Sequence, residues 1–291
     1  GESCAGGWVF TTRGVMRLAR SLGNRCLLNV RRCYSPVSAE RPAPHRVSTR
    51  FLSTGSPLQL AILVLNVDSI ALRGDSVLWR LWHDAALRMC ADGAANRLHD
   101  ALPEPMRGKM LPDQIRGDLD SLRPEVADFY RERGVRIEHE AEQDTHDFEK
   151  CLRWLQAEQS GADLPFTVVA FGAFGGRLDH TMANLNMVYR YSCFSSFVLL
   201  STDSLALLLR PGRNVIQVDT AAEDGTCGLV PLTGRCERVV TTGLKWNLAG
   251  DCPLEFGGLV SSSNEWIADE VTVETSAPLL WTSNLRRVGS V

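Results

Sequence analysis

The pattern of apolar and polar residues along the chain changes near residue 205. Upstream of it, short apolar runs typical of buried strands, such as Leu60–Leu65 and Phe166–Phe171, alternate with segments of helical period. The segment Ser76–Arg88 is one of these, because its large apolar side chains fall on one helical face. Repeated strand–helix units predict a three-layer α/β/α region with a mainly parallel sheet.

Downstream, short strands separated by glycine-containing turns are predicted. They are Leu205–Leu209, Asn214–Val218, Cys227–Val230, Arg238–Thr241, Gly258–Ser261, Val271–Glu274 and Leu279–Trp281. This rhythm is typical of an antiparallel sandwich or partial barrel. We therefore expect a disordered or targeting-like extension over residues 1–56, an α/β domain over 57–205 and an antiparallel β-sandwich domain over 206–291.

Composition narrows the class of protein. The chain has 291 residues, 44% of them hydrophobic and 22% charged, which is typical of a globular protein. No apolar run approaches the roughly 20 residues that span a bilayer. Residues 1–50 carry nine Arg and two Glu, whereas the rest of the chain carries 22 basic and 32 acidic residues. The net negative charge of residues 51–291 argues against nucleic acid as the main partner and suits magnesium or a cationic substrate.

The first 50 residues and the cysteines bear on location. The basic, Ser- and Gly-rich start resembles a mitochondrial transit segment, and a dispensable disordered extension explains it equally well. Nine cysteines are scattered without a CxxC pair, which argues against a disulfide framework or a metal finger. Thiols in a reducing compartment are the simplest explanation. We expect a cytoplasmic protein, with mitochondrial import as the alternative.

Two carboxylates one residue apart, in Gly117–Ser121, are the strongest sign of chemistry. If Asp118 and Asp120 end a strand, alternation sends both side chains to one side. Carboxylates this close repel each other, so a cation between them favours the ionised pair, and oxygen ligands suit Mg²⁺. Alternatively, Asp120 or Ser121 is only the N-cap of the next helix, Pro124–Arg133.

A second acidic cluster opens a later helix. Asp144 and Asp147 stand three residues apart, so the start of a helix places them on the same side. Their alternative roles are an N-cap and a carboxylate favoured by the helix dipole. We expect His146 between them to be a surface or neighbouring group rather than a metal ligand.

Two strand-to-helix turns are candidates for nucleotide contacts. After the strand Met89–Ala91, Asp92 and Asn96 can hold ribose or phosphate, or Asp92 can simply cap a tight turn. After Phe166–Phe171, a glycine-rich turn presents backbone N–H groups together with Arg177, which favours phosphate binding. The alternative there is a plain glycine turn in which Asp179 caps the helix. His180 contacts nucleotide or merely packs. Neither turn matches a Walker loop.

Two stretches of the second half are unusual for plain β structure. Thr242–Leu248 places Trp246 beside polar groups in a predicted loop, and Ser261–Glu265 is predicted as a hydroxyl-rich turn that follows a strand. A tryptophan face beside such groups suits a flat or cationic ligand. Alternatively, Trp246 is a core or interface aromatic and the serines form an ordinary turn.

Taken together, these motifs resemble the thiamine pyrophosphokinase family over about residues 52–284. The matching stretches are Ala91–Asn96, Gly117–Ser121, Gln143-Asp144 with Asp147-Phe148, Gly175–Asp179, Thr242–Leu248 and Leu259–Asn264. Any one of them is a weak signal, and six in the family order are strong. The resemblance implies an N-terminal α/β domain, a C-terminal β-sandwich, and a homodimer whose clefts combine both subunits. It also implies Mg²⁺-dependent transfer of a pyrophosphoryl group from ATP to the thiamine hydroxyl, with release of AMP.

The resemblance also assigns roles to individual residues. The metal, phosphate and catalytic carboxylates are Asp118, Asp120 and Asp147. The nucleotide-binding residues are Asp92, Asn96, Gln143, Asp144, Arg177 and Asp179. The thiamine-binding residues are Trp246, Ser263 and Asn264. Either Asp120 or Asp147 accepts the proton of the alcohol.

One motif departs from the family pattern. The family usually reads Asp-Gln-Asp-x-Thr-Asp-Phe, whereas Glu142–Phe148 moves the threonine one place and puts His146 in its position. The carboxylates keep their register. Two other functions remain open: a metal-dependent glycosyltransferase that uses a nucleotide sugar, and a non-catalytic sensor of thiamine or nucleotide. The Trp246 loop and the Ser-Asn turn have no role in the glycosyltransferase interpretation.

Overall fold

A ten-stranded mixed sheet runs through most of the described part of the chain, and a four-stranded sheet packs on one end of it. The structure is a computed structural model that describes residues 43–55, 59–66, 77–142, 144–159 and 165–286. The strands of the large sheet are β2 Leu60–Val64, β3 Leu87–Ala91, β4 Gln114–Gly117, β5 Arg136–His139, β6 Thr167–Phe171, β7 Ser196–Leu200, β8 Ser204–Leu209, β10 Glu223–Val230, β12 Ser261–Glu265 and β14 Leu279–Leu285. Those of the small sheet are β1 His45–Ser48, β9 Gly212–Gln217, β11 Val239–Thr242 and β13 Glu270–Thr275.

Helices cover the parallel half of the large sheet. They are α1 Val77–Asp84, α2 Ala94–Ala101, α3 Glu104–Arg107, α4 Pro124–Arg131, α5 Asp147–Gln159 and α6 Leu178–Arg190. Apart from the single turn α3, each buries an apolar stripe, as α1 does with Leu78, Leu81 and Trp82. In the region that the structure describes, no helix is both long enough and apolar enough to cross a membrane.

The two faces of β2 show why the region has three layers. Leu60, Ile62 and Val64 point into a core shared with α1, α2 and α4, whereas Ala61 and Leu63 point into a core shared with α5 and α6. Successive side chains of a strand face opposite ways, and both faces of this strand are apolar. The strands β7-β6-β2-β3-β4-β5 are parallel neighbours in that order. The predicted α/β/α region is therefore confirmed.

The same sheet continues into the sandwich. Strand β7 pairs antiparallel with β8, and β14, β10 and β12 extend the sheet antiparallel to the edge. The small sheet, ordered β1-β9-β13-β11, supplies Ile216, Val271 and Val273 to the core that it shares with this extension. The predicted antiparallel sandwich is thus present. The residues on either side of the predicted domain boundary, 205 and 206, both lie in β8, so the sheet is continuous across it.

Three predictions about boundaries or element types differ from the structure. Residues 45–48, which we expected in the extension, form β1 and pair parallel with β9 of the small sheet. The two partners are 169 residues apart, so no local pattern reveals the pairing. The predicted turn Ser261–Glu265 is instead the edge strand β12, held by its pairing with β10 despite its polar sequence. The predicted helix Ser76–Arg88 is shorter than expected, since α1 ends at Asp84 and β3 begins at Leu87.

Candidate functional site

A polar cleft lies at the carboxyl ends of β2, β3, β4 and β6, the edge where open α/β sheets bind ligands. Its cavity has a volume of about 480 Å³. The polar and charged side chains that line it are Asn66, Asp92, Arg97, Asp118, Asp120, Ser121, Thr145, His146, Asp147, Arg177, His180 and Asn184. Parallel strands thus bring together side chains that are far apart in sequence.

Three carboxylates converge in this cleft. Asp92 follows β3, Asp118 follows β4 and Asp147 is the first residue of α5. One carboxylate oxygen from each lies within 4.8 Å of the others. The backbone N–H of Asp118 donates to Oδ1 of Asp147 at 3.3 Å, which joins the loop after β4 to the helix. The structure therefore brings Asp118 and Asp147 together as predicted, and adds Asp92.

Close backbone approach makes this convergence possible. A Cβ atom added to Gly117 would lie 2.7 Å from Cβ of Asp92 and 2.9 Å from Oδ1 of Asp147, so only glycine fits between them. The backbone is also strained here. Asp92 and Leu119 both adopt left-handed conformations, with φ of 40° and 58°. Such strain persists where the surrounding structure enforces it, and it clusters at functional sites.

The electrostatics of Asp92 set it apart from the other two acids. Its pKa is raised to about 6, first by burial and then by the neighbouring charges of Asp147, Asp120 and Asp118, against one hydrogen bond from the N–H of Ser121. Its Oδ1 is buried and has no hydrogen-bond partner among the described residues. An acceptor of this kind normally has a partner, so a ligand is expected here.

A lysine lies beneath the acid cluster. The ammonium of Lys150 donates to Oδ1 of Asp147 at 2.9 Å and lies 3.5 Å from Oδ2 of Asp118, and its side chain has no solvent exposure. Burial lowers the pKa of Lys150, but the hydrogen bond and charge of Asp147, with the charge of Asp118, outweigh it and raise the pKa overall. The cluster therefore contains one fixed positive charge.

These residues fit a hard divalent cation. Three carboxylates offer only oxygen ligands, the kind that Mg²⁺ prefers, and the cavity leaves room for water and phosphate oxygens. The unpartnered Oδ1 of Asp92 provides a free acceptor on the same site. Asp92, Asp118 and Asp147 are thus the residues that could hold the metal.

Asp120, predicted as a metal ligand, has a different position. It lines the cleft and is exposed, but it is outside the group of three acids. Its Oδ1 accepts a hydrogen bond from the hydroxyl of Ser121 at 2.8 Å. Asp118 and Asp120 flank the left-handed Leu119 instead of alternating along a strand, so the strand-end argument for the pair does not hold. The role of Asp120 stays a prediction.

Asn96, predicted to contact nucleotide, holds the acidic loop instead of lining the cleft. Its amide donates to the carbonyl of Ser121 at 2.7 Å, and its oxygen accepts from the N–H of Arg123 at 3.1 Å. The next residue, Arg97, lines the cleft and donates to Asn66 at 3.2 Å. A cation beside the acids suits phosphate oxygens.

The glycine-rich turn lies where it was predicted, between β6 and α6. Gly172, Gly175 and Gly176 have positive φ values and line the cleft with Arg177. The guanidinium of Arg177 forms a two-point ion pair with Asp179, and its hydrogen bonds hold the pKa of that carboxyl at about 2. Both side chains are exposed. Asp179 therefore orients Arg177 and is not itself part of the lining.

The motif before α5 is only partly in the cleft. Thr145 and His146 line it, whereas Asp144 is exposed and outside the lining. The threonine hydroxyl accepts a hydrogen bond from Arg153 at 3.1 Å. Gln143, a predicted nucleotide contact, lies outside the described residues. The assignment of Asp144 to nucleotide stays a prediction.

A second pocket, of about 300 Å³, lies between the Trp246 loop and the edge strand β12. Trp246, Ser263 and Asn264, the three predicted thiamine contacts, all line it. The indole is 56% exposed, so one face is free for a ligand. The ammonium of Lys245 lies 4.9 Å from the ring centroid and pairs with Glu265 at 2.6 Å. The loop thus already presents this ring to a cation.

Asn264 fixes the loop that carries the tryptophan. It is buried, accepts from the backbone N–H of Trp246 at 3.3 Å and donates to the carbonyl of Trp246 at 2.8 Å. Ser263 adopts a left-handed φ of 57° at the edge of the sheet. Of the three predicted contacts, Asn264 therefore acts mainly through Trp246.

Sequence reasoning missed three side chains of the acidic site. Lys150 lies three residues after Asp147 on a helix, a spacing that places the two side chains together. That spacing could have revealed it. Arg97 and Asn66 carried no comparable signal, because their place in the cleft depends on how the sheet is ordered.

Two family models match the chain, one upstream and one downstream of residue 205. Residues 78–198 match the family described as thiamin pyrophosphokinase, catalytic domain, and residues 213–280 match thiamin pyrophosphokinase, vitamin B1 binding domain. Thiamine pyrophosphokinase 1 of Arabidopsis thaliana is 40% identical over 224 residues, which are 72% of this chain and 82% of the relative. The crystal structure of yeast thiamin pyrophosphokinase superposes with a TM-score of 0.74 at 25% identity, covering 87% of this chain and 95% of that one.

Proposed function

The chain belongs to the thiamin pyrophosphokinase family, and from this premise we propose that Asp92, Asp118 and Asp147 hold a magnesium ion beside the triphosphate of ATP. The activity is that of the family: ATP and thiamine are the substrates, and thiamine diphosphate and AMP are the products. The observation that carries the assignment of the site is the convergence of three carboxylates within 4.8 Å on the ligand-binding edge of the sheet.

The reaction needs positioning and compensation of charge more than covalent chemistry. The hydroxyl oxygen of thiamine forms a bond to the β-phosphorus of ATP, while the bond from that phosphorus to the oxygen that bridges it to the α-phosphorus breaks. AMP leaves with the electron pair of that bond. Magnesium, when bound, offsets negative charge on the phosphate oxygens. Arg177 and Arg97 line the same cleft and add fixed positive charge.

We assign the proton of the thiamine hydroxyl to Asp120. This carboxylate lines the cleft, is exposed, and lies outside the group of acids suited to the metal. Asp147, the other candidate, already accepts hydrogen bonds on Oδ1 from Lys150 and from the N–H of Asp118. An ammonium and an amide N–H stabilise the negative charge of Asp147, whereas Asp120 accepts from the neutral hydroxyl of Ser121.

The pocket beside Trp246 is assigned to thiamine. The exposed indole can stack on the flat, cationic rings, and the serine hydroxyls of β12 supply polar partners. This assignment agrees with the match of residues 213–280 to the vitamin B1 binding domain.

The two pockets belong to opposite ends of one sheet, which supports a shared site in a homodimer. Strand β12 lies five strands from β6 in the large sheet. At about 4.8 Å per strand this is roughly 24 Å, more than a molecule of the size of thiamine can bridge. Large apolar side chains are also exposed near both pockets: Leu178 and Met182 on α6, and Trp246, Phe256, Leu259 and Ile267 on the sandwich. We infer that the thiamine pocket of one protomer faces the acidic cleft of its partner.

For the compartment, we propose the cytoplasm. Among the described residues, Cys90, Cys151, Cys227, Cys236 and Cys252 form no disulfide, as expected where glutathione keeps thiols reduced. Fractionation of cells that express the full chain tests this proposal, and recovery in mitochondria would contradict it.

The experiment for the proposed function is identification of the nucleotide product. The purified protein is incubated with ATP, Mg²⁺ and thiamine, and the nucleotides and thiamine esters are separated by chromatography. AMP and thiamine diphosphate in equal amounts are expected, with no turnover after removal of Mg²⁺ by EDTA. ADP as the only nucleotide product, turnover of a UDP-sugar, or binding without turnover would each contradict the proposal.

A further inference from the structure

Lys150 is a fully buried lysine that contacts two of the acids of the cleft. It lies on α5, one turn after Asp147, and its side chain has no exposed surface. Lysine is rarely buried completely, because removing an ammonium from water costs free energy unless an anion and hydrogen bonds compensate. The cleft lining does not include Lys150, so it does not touch the phosphates.

Its contact with Asp147 determines which oxygen of that carboxylate remains available for a ligand. Oδ1 of Asp147 accepts from the ammonium of Lys150 at 2.9 Å and from the backbone N–H of Asp118 at 3.3 Å. Both of these donors lie on one side of the carboxylate, which leaves Oδ2 for a ligand. The same ammonium lies 3.5 Å from Oδ2 of Asp118, so one nitrogen spans two of the three acids.

The charges at this site also need the lysine. Three carboxylates within 4.8 Å repel each other, and burial has already raised the pKa of Asp92. The ammonium of Lys150 lowers that repulsion while no cation is bound. It also holds the side chains of Asp118 and Asp147 in one geometry, so that they reorganise less when a cation binds.

We propose that Lys150 is a positioning residue, which orients Asp118 and Asp147 for the divalent cation and thereby sets the affinity of the site for the metal. The inference rests on the proposed function, since it takes the three acids as the metal site. Partners of metal ligands typically contribute a factor of roughly 10 to 100 in metal affinity. Lys150 lies outside the cleft lining, so it acts through the two acids and does not touch the substrate.

The test uses Lys150→Met, which keeps the apolar stem of the side chain and removes the charge. Lys109→Met is the matched control, since Lys109 is exposed and remote from the cluster. The dissociation constant of Mn²⁺ is measured by electron paramagnetic resonance on the full chain without nucleotide. Turnover is then measured as a function of Mg²⁺ concentration, with the KM for thiamine recorded at saturating metal.

We expect Lys150→Met to weaken Mn²⁺ binding by roughly 10- to 100-fold. Its turnover should recover as Mg²⁺ is raised, and its KM for thiamine should stay unchanged. Lys109→Met should match the parent in all three. Lys150→Arg, which keeps the charge, should restore part of the Mn²⁺ affinity. A role in folding alone would lower turnover in a way that added Mg²⁺ does not restore.

Parent-like Mn²⁺ affinity in Lys150→Met would overturn the inference, as would lost turnover that saturating Mg²⁺ leaves unchanged. Should Lys150→Met fail to fold, Lys150→Gln keeps a donor for Asp147 without the charge and gives the same comparison. If the parent binds no Mn²⁺ at these acids, the proposed metal site itself fails. If the parent binds Mn²⁺ and the variant binds it equally well, only the role of Lys150 fails.

Discussion

The side chain of Asn264 satisfies both backbone polar groups of Trp246, accepting from its N–H at 3.3 Å and donating to its carbonyl at 2.8 Å. This places the exposed indole at a fixed position over the pocket beside β12. A buried asparagine on an edge strand therefore holds the loop that carries the exposed indole.

Asn264→Asp should weaken thiamine binding with little effect on ATP. The carboxylate keeps the acceptor but loses the donor, and it leaves the carbonyl of Trp246 facing a negative charge. Loss of a buried hydrogen bond costs about 1–3 kcal/mol, so the KM for thiamine should rise while the KM for ATP stays constant. Asn284→Asp, on the exposed side of β14, is the control. An equal rise in both KM values would contradict a role restricted to Trp246.

Substitutions of Asp118 and Asp120 should distinguish metal binding from proton transfer. Asp118→Asn removes a member of the three-acid group, so both Mn²⁺ affinity and turnover should fall, turnover by roughly 10²–10³-fold. Asp120→Asn should lower turnover by roughly 10²–10⁴-fold while Mn²⁺ affinity stays close to that of the parent. Mn²⁺ titration and steady-state rates check both variants. Full activity in Asp120→Asn would remove its assignment as the proton acceptor.

Gly117→Ala should disturb the acid cluster directly. The added methyl group would meet Cβ of Asp92 at 2.7 Å and Oδ1 of Asp147 at 2.9 Å, so the two acids must move apart. Overpacking of this kind costs about 1–3 kcal/mol, and metal affinity should fall with it. Gly108→Ala has open space around the new methyl group and should leave both quantities nearly unchanged. Thermal unfolding and Mn²⁺ titration of the two variants make the comparison.

Mixing two inactive variants should restore activity if the sites are shared. Asp118→Asn disables the acidic cleft and Trp246→Ala disables the thiamine pocket. In a two-fold dimer with shared sites, each mixed dimer has one intact site, so an equal mixture should recover about a quarter of parental turnover. Sedimentation checks the dimer and co-refolding provides the exchange. Activity that stays at the level of the separate variants would show that each site lies within one chain.

Glu223 should give the free energy of unfolding a dependence on pH. It is fully buried, and burial raises its pKa above the ordinary 4.5, while hydrogen bonds from the hydroxyl of Thr49 and the backbone N–H of Asp219 oppose the shift. The folded protein therefore holds a proton that the unfolded chain releases. Stability falls as the pH rises from 4.5 to the folded pKa.

Glu223→Gln removes this charge and keeps an oxygen for Thr49. Its melting temperature should exceed that of the parent at neutral pH, and the difference should disappear below pH 4.5, where Glu223 is protonated in both states. Glu158→Gln, on an exposed part of α5, is the control. A difference that persists unchanged at low pH would contradict a titration of Glu223.

The local pattern of apolar residues was sufficient to predict those strands and helices that bury a short apolar run or one apolar face. The run Leu60–Leu65 predicted a strand and the helical period of Ser76–Arg88 predicted a helix, because such periodicity reports burial directly. The resemblance to a family then supplied the activity and most of the candidate residues. Motifs such as Gly117–Ser121 are recognised by the types and the spacing of their residues. Both can be read directly from the sequence.

The tertiary structure decided everything that depends on distant pairing. Asp92 joins Asp118 and Asp147 because β3 and β4 are neighbours and Gly117 lets the chains approach. Strand β1 pairs with a segment 169 residues away, and a serine-rich stretch becomes a strand because β10 supplies its hydrogen bonds. The sequence by itself determined which groups the site contains. Their distances, their burial and the lysine between two of them follow from the order of strands in the sheet, which no local pattern encodes.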